Sequence, residues 1–77
     1  MLRMRVQNSI QTENMKAVSG ICENLNEFSG VLRTADGRQF KAALAIGKKL
    51  SPENEMTVFR IFDKVDVSVL ENQILTN

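Results

Sequence analysis

The Asp36-Gly37 pair is the feature that most restricts what this chain can become. It supplies easy positive φ, and it sits between two runs, residues 27–34 and 38–46, that alternate in polarity. A chain with this centre is organised around a β-hairpin. In the second arm Phe40, Ala42, Leu44 and Ile46 share one face, with Gln39, Lys41, Ala43 and Ala45 on the other. In the first arm Phe28, Gly30 and Leu32 oppose Ser29, Val31 and Arg33. The preceding run, residues 16–23, carries Val18 and Ile21 around Gly20, which reads as a strand with a bulge or tight coil. A turn over residues 23–27 would then complete a three-stranded meander.

Beyond the hairpin, Gly47, Lys48, Lys49 and Leu50 lead into Ser51 and Pro52, an N-cap residue followed by the residue favoured at the first helical position. The helix predicted here is short. Continued to Lys64, it would place Val58, Ile61, Phe62 and Val65 on one side but Met56 and Phe59 on the other. Thr57-Val58-Phe59-Arg60-Ile61-Phe62 has the β-branched and aromatic composition of a strand, and Val65, Val67 and Val69 alternate with polar residues. A last strand would run through Ile74 and Leu75. Ser68-Val69-Leu70-Glu71 also fits a capping box, so an α+β chain with helices over residues 51–64 and 68–75 stays open. At the other end, residues 8–14 are polar apart from Ile10 and set off Leu2-Arg3-Met4-Arg5-Val6, whose alternation suits an edge strand or a docked arm.

Composition narrows the function classes. A chain of 77 residues makes one domain, which buries only about 60% of the surface exposed when unfolded. There is no histidine and a single cysteine, Cys22, which excludes a Ser-His-Asp or Cys-His nucleophile pair, a His-containing zinc site and an internal disulfide. The expectation is therefore a non-enzyme without metal or cofactor. Net charge is +1, so any basic function must come from local clustering. Arg3 and Arg5 interrupt the apolar residues of the first ten positions, unlike a signal peptide, and the longest apolar stretch, residues 42–46, is far below membrane-spanning length. With one lone thiol, the expected setting is cytoplasmic.

The order of these elements, three strands, a short helix and two more strands, is that of the five-stranded oligonucleotide-binding barrel. From Val18 onward the chain resembles bacterial translation initiation factor 1. Gly20-Ile21-Cys22-Glu23-Asn24-Leu25 is similar to the family's G-x-V-x-E-x-L, Asp36-Gly37 to its N-G turn, and Ala45-Ile46-Gly47-Lys48-Lys49 to its I-S-G-K-M. Phe59-Arg60-Ile61-Phe62 is similar to Y-I-R-I, and residues 63–69 to G-D-K-V-T-V-E-L. The chain departs from the family in a first strand one residue shorter, a longer stretch between Gly47 and Asp63, Gly30 at a usually aromatic position, and no counterpart of the basic final strand. The fold implied is mainly β: an arm over residues 1–14, and a barrel over residues 15–77 with one short helix between strands 3 and 4.

The resemblance implies RNA binding on the small ribosomal subunit, with Lys48, Lys49, Arg60 and Lys64 against phosphates. Without it, Lys48 and Lys49 read as solvating a surface turn, and Arg60 as the wet face of a strand. Arg33, Arg38 and Lys41 bracket the hairpin as a second basic strip, which Asp36 dilutes. Arg3 and Arg5 read as an exposed terminus more than as an RNA-grasping arm. A domain this small needs most of its four phenylalanines inside; Phe40 is expected in the core and one of Phe28 and Phe59 at the surface, where it would stack on bases. Cys22 reads as a small buried hydrophobe. The pairs Glu23 with Glu27 and Glu53 with Glu55 read as solvated charge, since nothing apolar surrounds them. The competing class is a protein-interaction module that pairs through an exposed sheet edge or through Leu2, Met4 and Val6.

Overall fold

The computed structural model describes residues 1–52 and 54–77; Glu53, which falls in the expected helix start, lies outside them. Seven strands form: β1 (Arg3–Arg5), β2 (Asn8–Gln11), β3 (Lys16–Glu23), β4 (Val31–Arg33), β5 (Gln39–Lys49), β6 (Asn54–Ile61) and β7 (Ile74–Thr76). All pair antiparallel, in the order β1-β7-β4-β5-β6-β3, and β3 returns to β1, which closes a six-stranded barrel. The extra strand, β2, continues β1 along β3.

Period-two patterning decides what the barrel encloses. β6 turns Thr57, Phe59 and Ile61 inward, β5 Phe40 and Ala42, β4 Leu32, β3 Val18 and Cys22, and β7 Leu75. Phe59 is the largest fully buried side chain, and its ring meets that of Phe28 at 4.7 Å between centroids, tilted 47°.

The N-terminal segment is part of this core. Leu2, Met4 and Val6 are 0% exposed, and β1 lies between β3 and β7, so residues 2–6 form part of the barrel wall. Near Val6 the first strand changes neighbours: the Val6 amide donates to Gln73 O at 2.9 Å, and the next amide, Gln7, donates to Ser19 O at 2.8 Å. Register with β3 also steps by one residue, from Met4 opposite Cys22 to Asn8 opposite Ser19. Gly20 permits this corner, because a Cβ there would overlap the Arg5 carbonyl oxygen.

The central hairpin forms as its sequence predicts, with Arg33 opposite Gln39 and Gly37 at φ +91°. The expected meander does not include β3, which pairs with β1, β2 and β6 instead of β4. Asn24 in the left-handed region and a 3₁₀ turn at Leu25–Glu27 carry the chain away from β3, while Leu25 and Phe28 pack on the core.

No α-helix forms among the described residues, so the short helix expected between strands is replaced by a hairpin joining β5 to β6. Ser51 Oγ accepts the Asn54 amide at 3.1 Å, the same bond to the residue three positions on that an N-cap makes. Here it closes a turn.

The strand expected through Val65, Val67 and Val69 is also absent. Asp66 caps a 3₁₀ turn at Val67–Leu70, accepting Ser68 N at 3.0 Å and Ser68 Oγ at 2.6 Å, bonds that hold its carboxyl below the usual carboxylate range. The turn buries Val67 and Leu70, three residues apart, and leaves Val69 exposed. Its first amide, Val67, donates to Gln11 Oε1 at 3.2 Å, which ties the turn to β2. The α+β alternative falls with these two segments, whereas the short final strand forms as β7. Five expected strands and a helix thus become a six-stranded closure with one additional strand.

Candidate nucleic-acid interface

The outer wall is set by the residues that alternate with the core. On β6 those are Met56, Val58 and Arg60, followed by Phe62 just past the strand. Arg60 lies between Ala17 of β3 and Ala43 of β5, two side chains too short to crowd a guanidinium. It donates from Nη2 to Asn14 O at 3.4 Å and lies 5.5 Å over the ring of Phe62.

Phe62 is the exposed aromatic, at 56%. The expectation that Phe28 or Phe59 would be the surface ring is corrected: Phe59 is buried and Phe28 packs against it, while Phe40 is in the core as expected. The signal for Phe62 was present in the sequence, since the alternation that makes Arg60 wet makes Phe62 wet too.

Three cations step diagonally across adjacent strands on this wall. Arg33 of β4 faces Gln39, two residues before Lys41 of β5, and Lys41 lies two residues before Ala43, the partner of Arg60. Diagonal neighbours of this kind sit about 7–8 Å apart. Lys64 follows in the bend after β6, beside Asp63. Asp63 sits within the row: its Oδ2 accepts the Lys41 amide at 3.0 Å, and its carbonyl accepts Lys16 Nζ at 3.4 Å.

The remaining candidates lie elsewhere. Arg38 is engaged locally, 3.2 Å from Asp36 and 5.7 Å over the Phe40 ring. The Thr34 hydroxyl, followed by Arg38, keeps the Asp36 carboxyl below the usual carboxylate range. Lys48 shares the outer face but pairs with Met56, four residues from Arg60 and so about 13 Å along the strand. Lys49 faces Glu55 near the far end of the hairpin. Arg3 and Arg5 flank an open depression of ≈ 280 Å³ shared with Ile21, Glu23, Asn54 and Ile74, on a different part of the barrel wall.

Cys22 is fully buried, and its thiol is pushed up to about 11, first by burial and then by Glu55 and Glu23. Among the described residues no group of three His, Cys, Asp or Glu side chains is placed to hold a metal ion, and no helix is long and apolar enough to cross a membrane. Comparison of the chain with known protein families, with characterised proteins and with solved structures gives no match.

Proposed function

We propose that this barrel is a non-enzymatic binding module of the cytoplasm that takes single-stranded RNA across the β4–β5–β6 wall, in the manner expected of an initiation factor 1 relative on the small ribosomal subunit. The supporting observation is the diagonal row Arg33, Lys41 and Arg60 ending at an exposed Phe62. Cations at that spacing neutralise successive phosphates and release counterions, while an exposed ring offers a face to an unstacked base. Lys64, exposed in the bend two residues after Phe62, is taken with the row. Arg38, Lys48 and Lys49 stand outside it, so the reading now rests on four of the seven cations and no longer on the helix loop that the resemblance implied.

The test is a titration of a labelled single-stranded RNA, and of purified small ribosomal subunits, at two salt concentrations. Binding should weaken as salt rises, and Lys41→Ala with Arg60→Ala should lower the salt slope by about 1.4, two single-strand phosphate contacts. Phe62→Ala should cost about 1–3 kcal/mol of affinity without changing the slope. An unchanged slope in the double variant would remove this wall as the RNA site. Binding of subunits but not of free RNA would point to a ribosomal protein contact.

A further inference from the structure

Residues 43–49 of β5 are paired on one side only. β4 covers β5 as far as Lys41, and the Ala42 amide donates to Gly30 O at 2.9 Å. There the covering strand stops, because Gly30 adopts φ +96° and the preceding chain turns away, with Phe28 packing on Phe59. β5 continues to Lys49 with β6 alone beside it, and residues 44–49 are all exposed.

The direction of the vacant peptide groups follows from alternation. Ala42 bonds toward the β4 side, so Leu44 does too. Leu50 donates to Asn54 O at 3.0 Å on the β6 side, so Lys49 and Gly47 face away from β6. The parity change between Leu44 and Gly47 is the bulge at Leu44/Ile46. Leu44, Gly47 and Lys49 therefore present their N–H and C=O groups in line with the end of β4.

Three properties of this edge specify an occupant. The row of unpaired peptide groups calls for an extended segment, since only another strand satisfies it. Leu44 and Ile46 are exposed, and Ile46 leads across the outer face to Val58, beside Met56 and its partner Ile21, which are exposed as well; this calls for apolar side chains. Lys48 and Lys49 make no ion pair among the described residues, where Glu55 is the one carboxylate opposite them; this calls for acids. A second copy of the chain fits less well, because antiparallel pairing centred on Ile46 sets each lysine against Leu44 or Ala43 and offers it no acid. We propose that the open edge of β5 takes an extended segment of a partner protein, alternating apolar and acidic residues, as an added strand continuing the line of β4.

The experiment titrates the ¹⁵N-labelled full chain with a capped heptapeptide alternating valine and glutamate, and with its lysine-for-glutamate counterpart. Shifts should be confined to the amides of residues 43–49, and exchange of the Leu44, Gly47 and Lys49 amides should slow by about tenfold. Lys48 and Lys49 point to opposite faces of the edge, so an alternating peptide sets its acids against one of them; the glutamate peptide should bind about three- to tenfold more tightly, the worth of one rim ion pair against the like-charge contact in the lysine peptide. Lys48→Glu with Lys49→Glu should reverse that preference; position 49 then opposes Glu55 with like charge, so the melting temperature falls by a few degrees while the fold is retained. Absence of shifts, shifts centred elsewhere, or a preference unchanged in the double variant would overturn the proposal. The same amides responding to protein concentration alone would assign the edge to a second copy, and their responding to single-stranded RNA would assign it to nucleic acid; either result overturns the peptide.

Discussion

β1 and the far half of β5 both carry large apolar residues two apart together with basic ones, and they end in opposite situations. Leu2-Arg3-Met4-Arg5-Val6 sets large apolar residues two apart with arginines between them, and Leu44-Ala45-Ile46-Gly47-Lys48-Lys49 likewise sets two large apolar residues two apart, ahead of a pair of lysines. The first segment acquires two neighbours, β3 and β7, and buries every apolar side chain it has. The second keeps one neighbour and leaves Leu44 and Ile46 at the surface. Alternation states that a segment can be a strand; the number of partners it finds decides whether its apolar face is core or interface.

The largest break in that contrast is removal of residues 1–6. Each of Leu2, Met4 and Val6 is fully buried, and truncating one core Leu or Met to Ala costs about 2–5 kcal/mol against a total stability of about 5–15 kcal/mol. The shortened chain should show no cooperative thermal transition by circular dichroism, whereas an intact melt would return these residues to the status of an arm. Phe59→Ala follows, with an expected loss of about 3–5 kcal/mol by urea denaturation, while Phe62→Ala, outside the core, should stay within about 0.5 kcal/mol.

The two regions also carry a glycine each. At Gly20 an added Cβ meets backbone, so Gly20→Ala should cost about 1–3 kcal/mol or more. At Gly47 the nearest atoms are the side-chain ends of Glu55, 3.2 Å away, and Leu25, 3.3 Å away, which can move, so Gly47→Ala should cost less than about 1 kcal/mol. Equal losses at both positions would contradict the closed corner at Arg5.

The smallest expected effect concerns pH. The Cys22 thiol ordinarily titrates near 9.0 and is raised to about 11 in the folded chain. The folded form then holds a proton that the unfolded form gives up, so stability declines as pH rises from about 9 toward about 11. Denaturation midpoints at pH 8 and pH 10.5 should fall less in Cys22→Ala than in the native chain. An identical fall in both would show that Cys22 is solvated, and with it the inner face of β3 opposite Met4.

What could be read from residue order was the part set by short-range chemistry. Asp36-Gly37 fixed one hairpin because positive φ at Gly37 is a local property. Ser51 was recognised as the acceptor of a hydrogen bond from three residues on, yet that bond serves a helix start and a tight turn alike, and the strand pair β5–β6 selected the turn. Val65, Val67 and Val69 alternate as a strand would, but Asp66 bonding Ser68 competes locally and buries Val67 with Leu70 instead. The placement of β1 was invisible because its partners, Cys22 with Glu23 and Ile74 to Thr76, lie about 20 and 70 residues away, and no local pattern encodes a closure of that span. Of the candidate surface, alternation placed Arg60 correctly on the wet face; bringing Arg33 and Lys41 beside it required the register.

Amide hydrogen exchange read residue by residue tests the closure most directly. The amides of Arg3, Met4 and Arg5 should exchange as slowly as those of the β6 core, while those of Leu44, Gly47 and Lys49 should exchange close to the rate of an unstructured peptide. Rapid exchange along β1, or strong protection at Gly47 and Lys49 in the isolated protein, would contradict it.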